Sequence, residues 1–334
     1  MSDSVLSGGF VQGLAIKDSL LATGNANIEI RPVSDPITRT KSFMEGSADF
    51  CICDVDVYYA QEGLLGYDTE NSGPSEIRLV LASKTNFAVG LGLSTDIGSK
   101  AVSDLRNQPV PWIRKSPQLN AYMTAFLAYG GLTWQDVQQM TYPNFEQARI
   151  GYEKGQLSAI IVPLGSSADQ QQTAPRRPYQ MAKIDPNQKA AWSRLKSAAP
   201  YIESSNIFPG IGLTSPYPLL VTSASEDREK VYQLTKLISE NLNDLSERVA
   251  GGENWHPTWQ NFSWILPYHE GAVDYFKELG IWTPQAQIHQ EFLVSRQKRL
   301  VKSFDDFSKQ TPSPKNFAYE WQVYRADALS KPIE

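Results

Sequence analysis

The sequence predicts an α/β protein of two lobes joined by two hinge crossings, with a helical C-terminal extension. Three observations carry that expectation. Short apolar runs alternate with amphipathic helical stretches along most of the chain. Its 334 residues exceed what one hydrophobic core usually organises. Two extended apolar stretches, around Lys84–Phe87 and from Tyr217, read as passages from one lobe to the other and back. Lobe I then takes residues 1–84 and 218–334, with the C-terminal helices, and lobe II residues 85–217.

The first eighty residues read strand–helix–strand–helix–strand–helix, which points to a mostly parallel sheet. Val5-Leu6 is a short apolar run, and Ser7-Gly8-Gly9 is a glycine turn feeding a helix through Leu14, Ala15, Leu21 and Ala22. An alternating strand spans Asn27–Arg31. Ser34-Asp35-Pro36 then supplies a cap residue and a proline for the first helical turn, and that helix runs to about Glu45 before Gly46. A strand from Phe50 to Cys53 meets Asp54, Val55 and Asp56. Ligands of such sheets sit beyond the carboxyl ends of the strands, where these turns gather.

The second series turns on Pro111–Gly131. Trp112 and Ile113 end a buried strand, Ser116 caps a helix and Pro117 opens it. Leu119, Tyr122, Met123, Phe126 and Leu127 recur at helical spacing, and Gly130-Gly131 stops the helix. Free amides at such a start, with Arg114 and Lys115 just before it, suit an anion. A strand near Gln138–Thr141, a helix Asn144–Lys154 and a strand Ala159–Val162 follow, then Pro163, Gly165, Ser166 and Ser167 as another capping turn. Thr173–Pro178 reads as a surface loop, and Trp192–Leu195 as helical up to Pro200. After the return strand Tyr217–Ala224, a helix aligns Val231, Leu234, Ile238, Leu242 and Leu245. Helices over Glu270–Leu279 and from Pro284 to about Phe307 follow, the latter aligning Ile288, Phe292, Leu300, Phe304 and Phe307, with Arg296 interrupting the stripe. The tail from Thr311 is proline-punctuated and is expected to pack irregularly or fray.

Composition narrows the function. Hydrophobic content of 41% and charged content of 20% are those of a soluble globular protein. A net charge of −5 with no long basic run gives a nucleic-acid surface no electrostatic support. No apolar run is long enough to span a membrane. The opening MSDSVLSGGF has neither a basic n-region nor an apolar h-region, so the chain is expected to be cytosolic or to have lost a leader. The two cysteines, Cys51 and Cys53, are spaced C-x-C and share one face of a strand. They read as small buried residues, with a strained disulfide as the alternative, and two thiols without nearby histidine make no metal site.

The signal for catalysis is poor. His256, His269 and His289 each have a plain setting, and no nucleophile elbow, zinc-protease, phosphate-loop or dinucleotide motif is present. Asp54 and Asp56 read as solvated acids at a helix start. The capped starts at Gly9, Ser34, Ser116 and Ser166 are expected to face a closable ligand cleft between the lobes.

Several stretches, in order from about Ser7 to about Phe307, resemble the TAXI-type solute receptors of tripartite (TRAP) transporters. They are SGGFVQGLAIKDSLL, SFMEGSADFCICDVDVYYAQEG, SPQLNAYMTAFLAYGGLTWQDV, YEKGQLSAIIV and ILPYHEGAVDYFKELGIW. The resemblance implies a type II periplasmic-binding-protein fold and a periplasmic or extracytoplasmic receptor that captures a small organic acid, expected to be a carboxylate. It implies delivery to TRAP-type membrane subunits without catalysis, cofactor, metal or nucleic acid. Carried over, the first-lobe contacts fall on Gly9, Phe10, Val11, Ser34, Asp35, Cys53 and Asp54. The second-lobe contacts fall on Trp112, Ser116, Gln118, Leu119, Asn120, Gly165 and Ser166. Where the family has Gln-Ser at the strand end, this chain has Cys53-Asp54. An acidic Asp54 would repel a carboxylate unless it met a cation or were protonated. The alternative reading is a two-lobed enzyme or signalling receptor on the same fold.

Overall fold

A computed structural model of the chain describes residues 1–2, 5, 7–24, 26–85, 87–98, 100–114, 117–165, 175–310 and 313–331. The chain divides into two compact units, Met1–Lys84 with Pro216–Glu334, and Thr85–Ser215. Pro216 and Tyr217, read from the sequence as the end of lobe II, belong to the first unit.

In the first unit, helix α1 (Gly8–Ala22), helix α2 (Pro36–Ser42), strand β1 (Phe50–Cys53), helix α3 (Asp56–Glu62) and strand β2 (Ile77–Ala82) follow one another. The sheet is not the parallel one expected. Its order is β1, the return strand Leu219–Ser223, then β2, and both neighbours run antiparallel to the return strand. The returning chain enters the middle of the sheet in the opposite direction. Its Leu-Leu-Val run is buried, as a strand covered on both faces requires. Parallel pairing survives beside β1. There Ile52 N–H donates to Met1 O at 2.9 Å, Ser2 N–H to Arg31 O at 3.0 Å, and Val33 N–H to Ser2 O at 2.9 Å. The expected strand Asn27–Arg31 is extended backbone outside any strand, with a single bridge at Pro32.

Cys51 and Cys53 are both buried and are bonded to each other as a disulfide. The expectation of two separate small residues is corrected on that point.

The second unit holds β3 (Ala88–Ser94), β4 (Pro109–Ile113), helix α4 (Pro117–Tyr129), β5 (Gln138–Tyr142), helix α5 (Phe145–Glu153), β6 (Ala159–Leu164), β7 (Tyr179–Met181), helix α6 (Lys189–Ala198), β8 (Glu203–Ser204) and β9 (Leu213–Thr214). The order β6-β3-β9-β8 is antiparallel, with β7 also pairing β3, while β4 and β5 are parallel. Ser158 N–H donates to Pro109 O at 2.8 Å, so β4 and β6 start side by side. Arg177, placed by the sequence in a surface loop, is an anchor. Its guanidinium donates to Tyr152 O at 3.0 Å, Leu157 O at 2.8 Å and Ser94 Oγ at 2.7 Å, and lies over the Tyr152 ring.

Back in the first unit, the return strand is β10, and the apolar stripe after it is two helices, α7 (Arg228–Glu240) and α8 (Leu242–Arg248), broken at Asn241. Helix α9 (Glu270–Glu278) is capped by His269, whose Nδ1 accepts the Gly271 N–H at 3.1 Å. Burial pushes the His269 imidazole below its ordinary value of 6.5. The unfolded chain therefore binds the proton more readily than the folded one, and this group's contribution is complete above pH 6.5 and is lost as pH falls below it. Thermal unfolding across pH 7.5 to 5 is expected to show that loss, and His269→Asn, which keeps a capping acceptor, is expected to flatten it.

The C-terminal tail does not fray. Helix α10 (Pro284–Ser308) is followed by helix α11 (Phe317–Ser330), whose Trp321 is fully buried and donates its Nε1–H to Gly63 O at 2.7 Å. Phe304, Phe307, Phe317 and Trp321 form an aromatic cluster, with Phe304 and Trp321 edge to face and their ring centroids 4.9 Å apart. Ile288 and Phe292, expected on the buried stripe, are exposed, because the core-facing positions here are Ala286, Gln290, Leu293 and Gln297.

Candidate functional site

Each unit gathers its turns at the edge where the chain enters or leaves it. In the first unit, Cys53 pairs with Leu219 and Leu219 with Ala82, so β1 and β2 end where β10 begins. The α1 N-terminus lies at the same edge. Ser7 caps it, its Oγ accepting Phe10 N–H at 3.1 Å and its carbonyl accepting Val11 N–H at 3.1 Å. Gly9 N–H donates to the Tyr217 hydroxyl at 3.0 Å. Gly9 is buried, Phe10 half-buried and Val11 exposed. A Cβ on Gly9 would meet Tyr217 Oη at 3.3 Å and Ile52 Cγ2 at 3.5 Å, so the bare backbone is what lets ring and strand approach this closely.

At the end of β1, Cys53 is buried in its disulfide and Asp54 is partly exposed. Asp54 Oδ1 accepts Asp56 N–H at 2.8 Å, while Oδ2 faces Arg39 at 3.4 Å. The Arg39 side chain is wholly buried and also donates to Val33 O at 2.9 Å. Asp54 therefore meets a cation, and its charge is countered from within the fold. Ser34 and Asp35 are exposed. Asp35 is the cap of α2, its Oδ1 accepting Thr38 N–H at 2.8 Å, and the Thr38 hydroxyl and amide hold its carboxyl below the usual range. Burial raises the neighbouring Tyr67 phenol above its ordinary value.

In the second unit, β4 ends at Ile113 and β6 at Leu164, which pairs with Ala88 at the start of β3. Asn120 is buried and uses both ends of its amide on one residue. Oδ1 accepts Ile113 N–H at 2.8 Å, and Nδ2 donates to Ile113 O at 2.8 Å. These bonds lock helix α4 to the strand end. Asn120→Leu is expected to cost about 2–4 kcal/mol, since two buried backbone groups lose their partners, and urea unfolding measures it. Leu119 is also structural, packing on the cluster of Ile113, Ala148, Tyr152, Leu157, Ile160 and Val162. Trp112 stands edge-on to Trp134, with ring centroids 5.0 Å apart. Gln118 is exposed and Gly165 half-buried, while Ser116 and Ser166 lie outside the described residues. Tyr122 of α4 meets Ser215 at 3.1 Å, and burial pushes its phenol up to about 12.

Sequence reasoning missed Tyr217 and Arg39. Tyr217 opens an apolar run that reads as a strand, and no local pattern marks its hydroxyl as the partner of the Gly9 amide. Arg39 stands in α2, where no sequence pattern marks it. His256 lies near the first unit's edge: its carbonyl accepts from Gln260 Nε2, which also bonds Ala82 O, and Asn254 O accepts Lys84 N–H at 2.9 Å. His269 caps α9, His256 bonds Thr258, and His289 Nε2 lies 2.6 Å from Trp264 O. Among the described residues no group of His, Cys, Asp and Glu could hold a metal ion, and no helix is long and apolar enough to cross a membrane. The chemistry on offer at these edges is hydrogen bonding.

No curated protein matches the sequence. Among solved structures, XAC2383 from Xanthomonas citri bound to ATP is similar with a TM-score of 0.50 at 10% identity, covering 86% of this chain and 97% of that one. The periplasmic aliphatic sulphonate binding protein SsuA from Escherichia coli is similar with a TM-score of 0.40 at 13% identity, covering 88% and 84%. The alkanesulfonate-binding protein SsuA from Xanthomonas axonopodis pv. citri bound to MOPS gives 0.37 at 11%, covering 94% and 93%. The fold is that of the type II periplasmic binding proteins. The profile of the NMT1-like family matches residues 15–280, and the chain belongs to that family.

Proposed function

We propose that this chain is a solute-binding protein that captures a small organic acid outside the cytoplasmic membrane and releases it, chemically unchanged, for uptake. The observation that carries the reading is the make-up of the two edges: each collects strand ends and a helix start. The Arg39 guanidinium beside Asp54 removes the objection that an acid at the β1 end would repel an anion. A helix N-terminus contributes roughly 0.3–1 kcal/mol toward an anionic group, and about 2 when buried. In the first unit the ligand surface comprises Gly9, Phe10, Val11 and Asp54. In the second it comprises Gln118, Gly165 and the serines 116 and 166. Leu119 and Asn120 are assigned to the fold instead.

The stretches SGGFVQGLAIKDSLL and ILPYHEGAVDYFKELGIW favour delivery to TRAP-type membrane subunits, which would place the chain in the periplasm. The SsuA proteins are named for sulphonates, so the anionic end is tested as carboxylate and as sulphonate. Mass spectrometry of small molecules released from natively purified protein tests the reading. A small organic acid recovered intact, one per chain, is the expected result. A compound converted on prolonged incubation with the protein would overturn it in favour of an enzyme.

A further inference from the structure

Strand β2 ends at Ala82, in register with Leu219 and through it with Cys53. Lys84, the last residue of the first unit before the chain leaves it, therefore stands at the same edge as Asp54, about 10 Å away across two strand spacings. The tryptophan-rich loop 254–260 is fastened to this strand end. Lys84 N–H donates to Asn254 O at 2.9 Å, and the Gln260 side chain spans Ala82, its Oε1 accepting the Ala82 N–H at 2.8 Å and its Nε2 donating to Ala82 O at 3.0 Å. On the other side, buried Trp255 donates its Nε1–H to Gln12 Oε1 of α1 at 2.9 Å, and Gln12 Nε2 donates to Ala250 O at 3.0 Å. Trp259, between these anchors, is left 51% exposed, and the Lys84 ammonium stands 4.0 Å from its ring centroid.

We propose that Lys84 and Trp259 form a subsite for the solute, the ammonium taking its anionic group and the indole face covering its carbon skeleton. The inference rests on the binding reading above and adds to it the class of solute, an anion carried on an aliphatic body. Two independent features single out this pair. The first is charge. Asp54 is countered by buried Arg39, whereas Lys84 makes no ion pair among the described residues. A ring face holds an ammonium in place without neutralising it, as a carboxylate would, and keeps N–H donors turned away from the ring. The second is presentation. Trp255, four positions earlier, turns the same kind of ring wholly inward, so the loop does not lack a core to bury it in. The clamps at Ala82 and Gln12 fix the backbone on either side of Trp259, and the exposed ring offers a rigid apolar wall beside the cation.

Titration calorimetry of the full chain with acetate, butanoate, methanesulphonate and butanesulphonate tests the proposal, on wild type, Lys84→Met, Lys84→Arg and Trp259→Leu. Lys84 is exposed and its bond to Asn254 is made by its backbone, so these substitutions leave the loop fastened. Lys84→Met is expected to weaken anion binding roughly tenfold to a hundredfold, the worth of a hydrogen bond to a charged group. Lys84→Arg, which keeps the charge and stacks on the ring, is expected to stay within about threefold of wild type. Wild type is expected to bind the four-carbon member of each pair more tightly, and Trp259→Leu to lose most of that preference. Lys84→Met binding as tightly as wild type would overturn the proposal, and a chain-length preference undiminished in Trp259→Leu would overturn the role of the ring. Wild-type protein that binds none of the four anions would overturn the binding reading itself and the inference with it. A second measurement needs no variant. Raising NaCl from about 20 to about 200 mM is expected to weaken wild-type binding several-fold, and affinity independent of salt would overturn the assignment of an exposed cation.

Discussion

Replacing Glu62 with alanine is expected to lower the stability of the first unit by about 3–5 kcal/mol, the largest effect of any single substitution considered for this chain. The carboxylate is fully buried at the end of α3 and is held by two arginines from the C-terminal helices. Arg296 of α10 grips both oxygens, with its Nη2 2.7 Å from Oε2, and Arg325 of α11 bonds Oε2 and donates its Nε–H to Glu62 O at 3.2 Å. Burial depresses both guanidinium groups below their ordinary range. Without Glu62, two largely buried cations face each other with no counter-charge. Urea unfolding is expected to show the loss, and limited proteolysis to show cleavage within Phe317–Ser330 before the rest of the unit. Glu62→Gln keeps the volume and is expected to lose nearly as much, because the missing element is charge. An unfolding midpoint within error of wild type for both variants would contradict this account of the C-terminal helices.

Arg39→Leu is expected to lose about 2–3 kcal/mol of stability and, separately, at least tenfold in affinity for an anionic ligand. The stability loss falls short of that for a fully buried pair because Asp54 is a fifth exposed and its contact with Arg39 is 3.4 Å. The affinity loss has a different origin. Asp54 sits at the end of β1, and once the guanidinium is gone its full negative charge meets the incoming anion. A repulsion of about 1.4 kcal/mol already gives a tenfold loss. Arg39→Leu with Asp54→Asn is therefore expected to recover binding while remaining less stable than wild type. If the double variant binds no better than Arg39→Leu alone, Arg39 acts on the ligand by another route.

The local elements were legible because their causes are local. Ser7-Gly8-Gly9, Ser34-Asp35-Pro36 and Asn144 mark helix starts, and in the structure the caps are Ser7, Asp35, in place of Ser34, and Asn144. Gly131 ends α4 with a positive φ of 71°, as its type suggests. What escaped the sequence depends on partners far away. The direction of β10 is set by where the chain returns, and no local pattern in YPLLVTSA encodes it. Arg296 looked like a flaw in an apolar stripe, yet its partner Glu62 lies 234 positions earlier. The tail looked disordered because prolines punctuate it, but Phe317 and Trp321 find their neighbours on α10. At the candidate site the same division holds. Residues expected to bind from their place at a helix start, such as Asn120, turn out to spend their polar atoms on their own backbone. Arg39, which pairs with Asp54, and Tyr217, whose hydroxyl accepts the Gly9 amide, carry no pattern of their own in the sequence.

Equilibrium titration of the purified chain with small carboxylates and sulphonates, followed by recovery of the compound, tests the binding account most directly. The account predicts saturable one-to-one binding of at least one such anion, competition among anions for a single site, and quantitative recovery of the starting compound. Absence of saturable binding across both classes, or recovery of a transformed product, would contradict it.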